Sequence, residues 1–555
     1  MAQQFEIGTE TTFADLVKHK AESAGDKVFL TYIRDFDQDV EEKYTYRDMH
    51  LQSNRLANGL EKLGLEQGDG ISLIEINSPE FLFTLFAAVK LGTYTVLINT
   101  GLKGDSLQYI IDHSDSKAVV IHWTLLGGYG AIRDQLPKVE HVIVDINEAP
   151  GDFRLPEGMI SLQEIMEAPE DDIQAKLDPG DMSLLIYTSG TTGLPKATTF
   201  LYGRTFMGLA LYGPTFVANM MGRPGDVFYT CLPLFHGNAL HLTTLPGFAA
   251  EFPVVLSKRF SASRFWDMIR KYGVTNFNLL GSMPHFLLKQ PERPNDRDNE
   301  VWRVNSAACP KELIEVFESR FDVKVYEAYG AVDGGGFMLL SYGRENIPVG
   351  TMGQPPDGVT AEIMDDDGTL LGPDEPGELV FRVKEEEREQ RKVVYYKDEE
   401  ASKSRIQQGP DGQLWFHTGD LATKDEDGWF YFVDRKKDAI RRRGENIAAW
   451  SVERVINRHE KVLESAAYGV KSAEYAEDEV MVAVVLKPGE RLAPEELLDF
   501  CQDKMADFMI PRFIDFVEKL PKSEVHRIMK RFLKDQGVTE TTYDREKAGY
   551  TIRKG

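Results

Sequence analysis

The run Tyr187-Thr188-Ser189-Gly190-Thr191-Thr192-Gly193-Leu194-Pro195-Lys196 carries the residue types best suited to holding phosphate. Hydroxyls and side-chain-free amides in a turn donate hydrogen bonds to phosphate oxygens, and a lysine ammonium adds a point charge to the same oxygens. The chemistry this implies is a grip on a polyphosphate. The spacing is not that of a P-loop: Gly190 and Gly193 stand too close together, and no Ser or Thr follows Lys196. A polar surface loop would account for the composition, but not for the whole ten-residue string.

The elements that must position this loop are legible on either side of it. Leu184-Leu185-Ile186 leads into it as a buried strand would. Upstream, Thr45-x-x-Asp48 has the form of a capping box, Leu56, Leu60 and Leu63 fall on one helical face, Gly64 stops that helix, and Ile71 to Ile74 reads as a strand. Such alternation predicts layered α/β architecture. The run from Phe81 to Val89 ends at Lys90, too short to span a bilayer. At 555 residues more than one domain is expected. The charged stretch Lys384 to Glu389 reads as a solvated loop or helix face. Past Asp434 the chain turns basic, from Lys436 to Arg443, then resumes α/β alternation, which marks a domain boundary.

The formal charge of −25 argues against nucleic acid or an anionic membrane as partner. The N-terminus lacks the basic patch and apolar core of a secretory signal, and Cys231, Cys309 and Cys501 are widely spaced, so a reducing cytoplasm is the expected compartment. No Cys/His cluster with metal-ligand spacing is present along the sequence.

The phosphate string resembles the nucleotide-binding signature of the adenylate-forming superfamily, and later motifs follow in that superfamily's order. Leu232-Pro233-Leu234-Phe235-His236 is similar to its short aromatic–histidine loop, which implies that His236 neighbours the acyl carbonyl and the thiol entrance. Trp415 to Asp420 matches the motif whose aspartate accepts from both ribose hydroxyls, which points to Asp420. Arg435 matches a second ribose contact, Lys437 the hinge, and Arg443-Gly444-Glu445-Asn446-Ile447 the loop lining the pantetheine channel of CoA ligases. A solvated basic patch is the plain alternative for the stretch around Lys437.

Two motifs depart from the family. Tyr329-Gly330-Ala331-Val332-Asp333 stands where the family has Y-G-x-T-E, so a valine replaces a threonine that faces phosphate, and Asp333 replaces the Mg²⁺-binding glutamate. Leu520 to Lys530 aligns without gaps on the segment holding the catalytic lysine and puts Arg527 in that slot, with Lys522 and Lys530 outside it. Arginine spreads its charge over a planar fork and is not a conservative replacement there.

Within the superfamily, the segments around Cys231–Ala239 and Phe265–Thr275 are similar to carnitine/crotonobetaine-CoA-ligase-like and fatty-acid-transport-protein-like acyl-CoA synthetases. The resemblance implies an ATP- and Mg²⁺-dependent carboxylate–CoA ligase that uses coenzyme A and proceeds through an acyl-adenylate. Its expected fold is α/β, with a large multi-subdomain N-terminal domain over 1–434, a hinge at 435–437 and a small mobile α+β C-terminal domain over 438–555. Thr188, Ser189, Gly190, Thr191, Thr192, Gly193 and Lys196 are assigned to phosphates, with Tyr329 and Gly330 beside the nucleotide. Asp333 is assigned to Mg²⁺, Asp420 and Arg435 to ribose, Gly444 and Glu445 to the CoA channel, and Arg527 to charge stabilisation. Gly281-Ser282-Met283-Pro284, Ala307-Ala308-Cys309 and Gly334-Gly335-Gly336 are the expected acyl-pocket positions. Two alternatives stay open: an adenylating enzyme that forms no CoA thioester, activating another oxyanion or passing the adenylate to an amine or other nucleophile, and a nucleotide- or acyl-CoA-binding protein with little turnover. A homodimer is also left open.

Overall fold

The capping box forms as the sequence predicts. Asp48 donates its amide to Thr45 Oγ1 at 3.1 Å, and the Thr45 amide donates back to Asp48 Oδ2 at 2.8 Å. Helix Tyr46–Lys62 buries Leu56 and Leu60, and the chain turns at Gly64, whose φ of 90° a side chain would oppose, before strand Gly70–Ile74. These features belong to a computed structural model. It describes residues 12–178, 180–188, 194–202, 222–280, 283–307, 309, 311–330, 332–334, 338–365, 367–385, 388, 395–435, 439–442, 445–471, 477–521 and 530–553.

Two large sheets carry the N-terminal part. A seven-stranded sheet runs Ile160–Ser161, His141–Asp145, Ser116–His122, Gly70–Ile74, Tyr94–Leu97, Met182–Thr188, Lys196–Leu201, parallel except for its last strand. An eight-stranded sheet has Val28–Asp35, Val254–Ser257, Phe228–Thr230, Asn276–Leu280, Arg303–Ala307 and Val325–Gly330 as its parallel interior. Helix Pro79–Leu91 contains the apolar run. Every one of its residues is buried, Ser78 caps it, and the core it joins draws on both sheets. Buried on all faces, it reads as apolar without amphipathic period. Among the described residues no helix is long and apolar enough to cross a membrane.

A five-stranded antiparallel sheet follows, formed by Ala361–Met364, Gly377–Val383, Leu414–Lys424, Ile406–Gln408 and Phe430–Arg435. Beyond it, a smaller C-terminal domain combines the hairpin Ala439–Arg442/Glu445–Ala448 with a four-stranded sheet, Val462–Lys471, Asp478–Leu486, Phe513–Phe516 and Tyr543–Asp544. It has its own cores, the larger one centred on Ile440, Val452, Val482 and Leu498.

The basic stretch is not simply a solvated patch. Arg442 is 1% exposed, its Nε lies 2.7 Å from Glu479 Oε2, and its Nη1 donates to the carbonyls of Phe508 and Ile510 at 3.0 and 3.1 Å. A buried guanidinium must be paired and hydrogen-bonded to be tolerated. Here the pairing fastens the hairpin that bears Glu445 to the domain behind it.

Candidate active site

The ends of the phosphate string sit on the last two strands of the seven-stranded sheet. Thr188 closes one strand and Lys196 opens the next, the two directly opposite in antiparallel register, with Thr188 Oγ1 donating to the Lys196 carbonyl at 3.4 Å. Residues 189–193, which include Ser189, Gly190, Thr191, Thr192 and Gly193, lie outside the described residues. Lys196 Nζ pairs with Asp398 Oδ2 at 2.9 Å and lies 5.6 Å from the centre of the Tyr395 ring. The Ala401 amide and Lys196 together hold the Asp398 carboxyl below the usual range. Both ends of this pair are half-exposed, so the lysine can exchange partners for a phosphate at little cost.

From Tyr395 a chain of charged and polar groups crosses to the other two sheets. The Tyr395 hydroxyl donates to Asp333 Oδ2, the same oxygen that pairs with Arg405 Nη2. Arg405 spends its remaining donors on Tyr395 Oη at 2.8 Å and on the carbonyls of His417 and Thr418 at 2.9 and 3.2 Å. Burial works against this guanidinium, but Asp333 and Tyr395 outweigh it and keep it charged. Next along the chain, the Thr418 hydroxyl accepts the Asp420 amide at 3.1 Å, and Asp420 Oδ2 accepts the Tyr329 hydroxyl at 2.6 Å. Burial and the Asp420 charge push the Tyr329 phenol well above its ordinary range, so it stays a donor. Asp420 lies opposite Arg435 across the Leu414–Lys424/Phe430–Arg435 pair.

Asp333 is only 8% exposed, and one of its oxygens already takes a guanidinium and a phenol. A magnesium ion on Asp333 would share its carboxylate with this guanidinium and phenol, both of which hold Oδ2. The shorter arm expected from the Glu-to-Asp change is matched by a partner on the facing sheet. Neither Arg405 nor Tyr395 carries a sequence signal for this role, since the bond joins positions 72 apart.

His236 follows the turn closed by its amide on the Pro233 carbonyl at 3.0 Å. Its Nε2 lies 3.1 Å from Glu445 Oε1, and Glu445 Oε2 accepts from Asn99 Nδ2 at 2.9 Å. A C-terminal side chain thus bridges a loop of each large sheet. Nearby, Arg458 pairs with Asp105, and Lys103 Nζ lies 3.4 Å from Asp507. Gly101 has no room for a side chain, because a Cβ there would stand 2.9 Å from the Phe508 ring. Lys437, Gly444 and Arg527 lie outside the described residues, as do Gly281, Ser282, Ala308, Gly335 and Gly336.

Of the pocket positions, Met283 and Pro284 are buried at the start of helix Met283–Leu288, Ala307 ends its strand, Gly334 is buried, and the Cys309 amide donates to Glu327 Oε1 at 3.0 Å. A ladder of amides runs beside them: Asn305 donates to Asn278 at 3.1 Å and Asn278 to Asn238 at 2.7 Å. One turn on, His241 lies in a π-helical turn, Leu240–Thr244, against the Phe200 ring. Its enclosed Nε2 has no hydrogen-bond partner among the described residues. Burial lowers its pKa to about 4.

Two measurements check this geometry. Asp333→Asn and Arg405→Leu should each destabilise the protein by about 3–5 kcal/mol in urea unfolding, because each leaves a buried partner uncompensated. The double variant should lose less than the sum by more than about 1 kcal/mol, whereas additive losses would mean that the pair contributes nothing. For His241, the folded pKa is depressed, so its contribution is full above the unfolded value near 6.5 and is lost as pH falls toward about 4. Between pH 7 and 4 the wild type should lose about 3 kcal/mol more than His241→Leu. Parallel pH profiles would contradict the buried neutral imidazole.

With this geometry in hand, comparison with known proteins places the chain. The AMP-binding enzyme profile matches residues 17–385, and that of the AMP-binding enzyme C-terminal domain matches 451–527. Crotonobetaine/carnitine–CoA ligase of Salmonella choleraesuis is 29% identical over 539 residues, covering 92% of this chain and 96% of that protein. An o-succinylbenzoate CoA synthetase from Bacillus subtilis superposes with a TM-score of 0.77 at 24% identity, over 94% of this chain and 98% of that one. An amide bond synthetase from Marinactinospora thermotolerans superposes at 0.78 with 22% identity, over 95% and 99%. The fold, the order of the motifs and a family profile covering most of the chain agree: this chain belongs to the AMP-binding enzyme family, the adenylate-forming superfamily.

Proposed function

We propose that the chain is an AMP-forming acid–thiol ligase that joins a carboxylic acid to coenzyme A at the expense of ATP. The carboxylate attacks the α-phosphorus, pyrophosphate leaves, and the CoA thiol then attacks the acyl-adenylate carbon and releases AMP. The observation that carries this reading is the contact of Glu445 with His236 and Asn99. It sets a C-terminal loop resembling the pantetheine channel against the histidine expected beside the acyl carbonyl. An Nε2–H donated to Glu445 leaves Nδ1 as the proton acceptor, the tautomer a base for the thiol requires.

The other roles follow from position. Lys196 and the hydroxyl loop take the phosphates, Asp420 and Arg435 the ribose, and Tyr329 holds the Asp420 carboxylate. Val332 stands near Gly237, the residue after His236: a Cβ on Gly237 would touch its Cγ2 at 4.0 Å, so the position that holds threonine in the family offers an apolar surface here. Arg527 is proposed to supply positive charge during adenylation. Preorganised charge of this kind is the main lever in acyl and phosphoryl transfer. Three buried free cysteines suit a reducing compartment, and the cytoplasm is proposed.

Because an amide bond synthetase superposes as well as a CoA synthetase, the acceptor has to be tested directly. A panel of carboxylates is assayed for pyrophosphate release with and without CoA, with mass spectrometry of products. The expected result is acyl-CoA and CoA-stimulated turnover. Pyrophosphate release indifferent to CoA would shift the acceptor to another nucleophile, and no release with any acid would overturn the ligase reading.

A further inference from the structure

Three parallel strands of the seven-stranded sheet end side by side with ligating residues at the same level. Ile74 pairs with Ile121 and His122 with Asp145, so Glu75, His122 and Asp145 leave neighbouring strands in register. The crevice beyond the carboxyl ends of parallel strands is where α/β sheets place ligands. All three residues are buried, at 1%, 4% and 2% exposure, and one ligand atom from each lies within 4.8 Å of the others.

Among the described residues, one ligand atom of this cluster has no hydrogen-bond partner. Glu75 Oε1 accepts from the Ile76 amide at 3.0 Å, but Oε2 is buried with no hydrogen-bond partner among the described residues. Asp145 Oδ1 takes the Asn147 amide at 2.9 Å and the Gln163 side chain at 2.8 Å. His122 Nδ1 lies 2.7 Å from Thr124 Oγ1 and 3.4 Å from the Thr124 amide. Of the nearby groups, Lys258 is paired with Glu148, and Glu80 accepts from Asn147 at 2.7 Å. An orphaned carboxylate oxygen beside a second carboxylate is costly unless a cation stands between them.

We propose that Glu75, His122 and Asp145 bind a divalent transition-metal ion, with two carboxylate oxygens and one imidazole nitrogen as donors and water filling the remaining positions. Mixed oxygen and imidazole donors suit Zn²⁺ or Mn²⁺. Such an ion would tie the ends of three strands together. The site is distinct from Asp333, which belongs to the eight-stranded side, and it does not rest on the ligase reading.

Full-length protein purified without chelator is analysed for metals by mass spectrometry, then stripped and titrated with Zn²⁺ by calorimetry and thermal melting. The expected result is about one metal per chain, a lower Tm after stripping, and recovery with Zn²⁺. Glu75→Gln keeps the side-chain shape and an acceptor for Ile76, and His122→Gln removes the nitrogen donor. Each should weaken Zn²⁺ binding by more than the roughly 10–100-fold that loss of an outer-shell partner costs. Metal-free protein with no Zn²⁺-dependent rise in Tm would overturn the site, as would a rise unchanged in both variants. A protonated-carboxyl infrared band that persists at saturating Zn²⁺ and disappears in Glu75→Gln would also overturn it, by identifying a proton as the occupant. Should either variant fail to fold, stripping and refilling the wild type still decides.

Discussion

The buried pair between Asp333 and Arg405 is the interaction on which the site's architecture depends. Asp333 follows the last parallel strand of the eight-stranded sheet, while Arg405 is donated to carbonyls of the five-stranded sheet. Tyr395 bonds both partners and leads to Lys196 at the edge of the seven-stranded sheet. Three independently formed sheets therefore meet through one chain of charges, and each charge is tolerable only because the next is in place. Geometry held in this way is over-determined, as a site acting by charge placement requires.

The consequence for chemistry is a division of labour between fixed and exchangeable groups. Arg405, Tyr395 and Asp333 are spent on one another and Tyr329 on Asp420, and together they set the frame. Lys196 and His236 are about one-third exposed and held by single carboxylates, Asp398 and Glu445, which gives them the freedom to turn toward a ligand. The Glu445 contact also sets the C-terminal domain against the N-terminal loops, and Arg442 with Glu479 keeps its hairpin firmly attached to that domain. In the proposed reaction the first set of groups positions the nucleotide, and the second meets phosphate and thiol.

How much of this the sequence discloses depends on the range of the interaction. The Thr45 capping box, the stop at Gly64 and the Ser/Thr/Gly phosphate string are local, and their residues are read within a few positions of one another. The Phe81 to Val89 run is ambiguous until its helix is seen buried between two sheets. Arg405 is illegible because its partner lies 72 positions away, and the His236–Glu445 contact spans 209. Glu75, His122 and Asp145 have no motif spacing at all, since register across parallel strands brings them together. At Asp333 the departure from family pattern, aspartate for glutamate, falls where the Arg405 guanidinium enters, although the sequence does not supply the guanidinium's identity.

The central claim is that this chain of groups, ending in Tyr329 and Asp420, is a nucleotide site. Calorimetric titration of AMP into the wild type and into Asp420→Asn tests it most directly. The account predicts one saturable site in the wild type and at least about tenfold weaker binding in the variant, as expected when a charge-assisted hydrogen bond worth roughly 1.5–3 kcal/mol is lost. Equal affinity in the two folded proteins, or no AMP binding by the wild type, would contradict it.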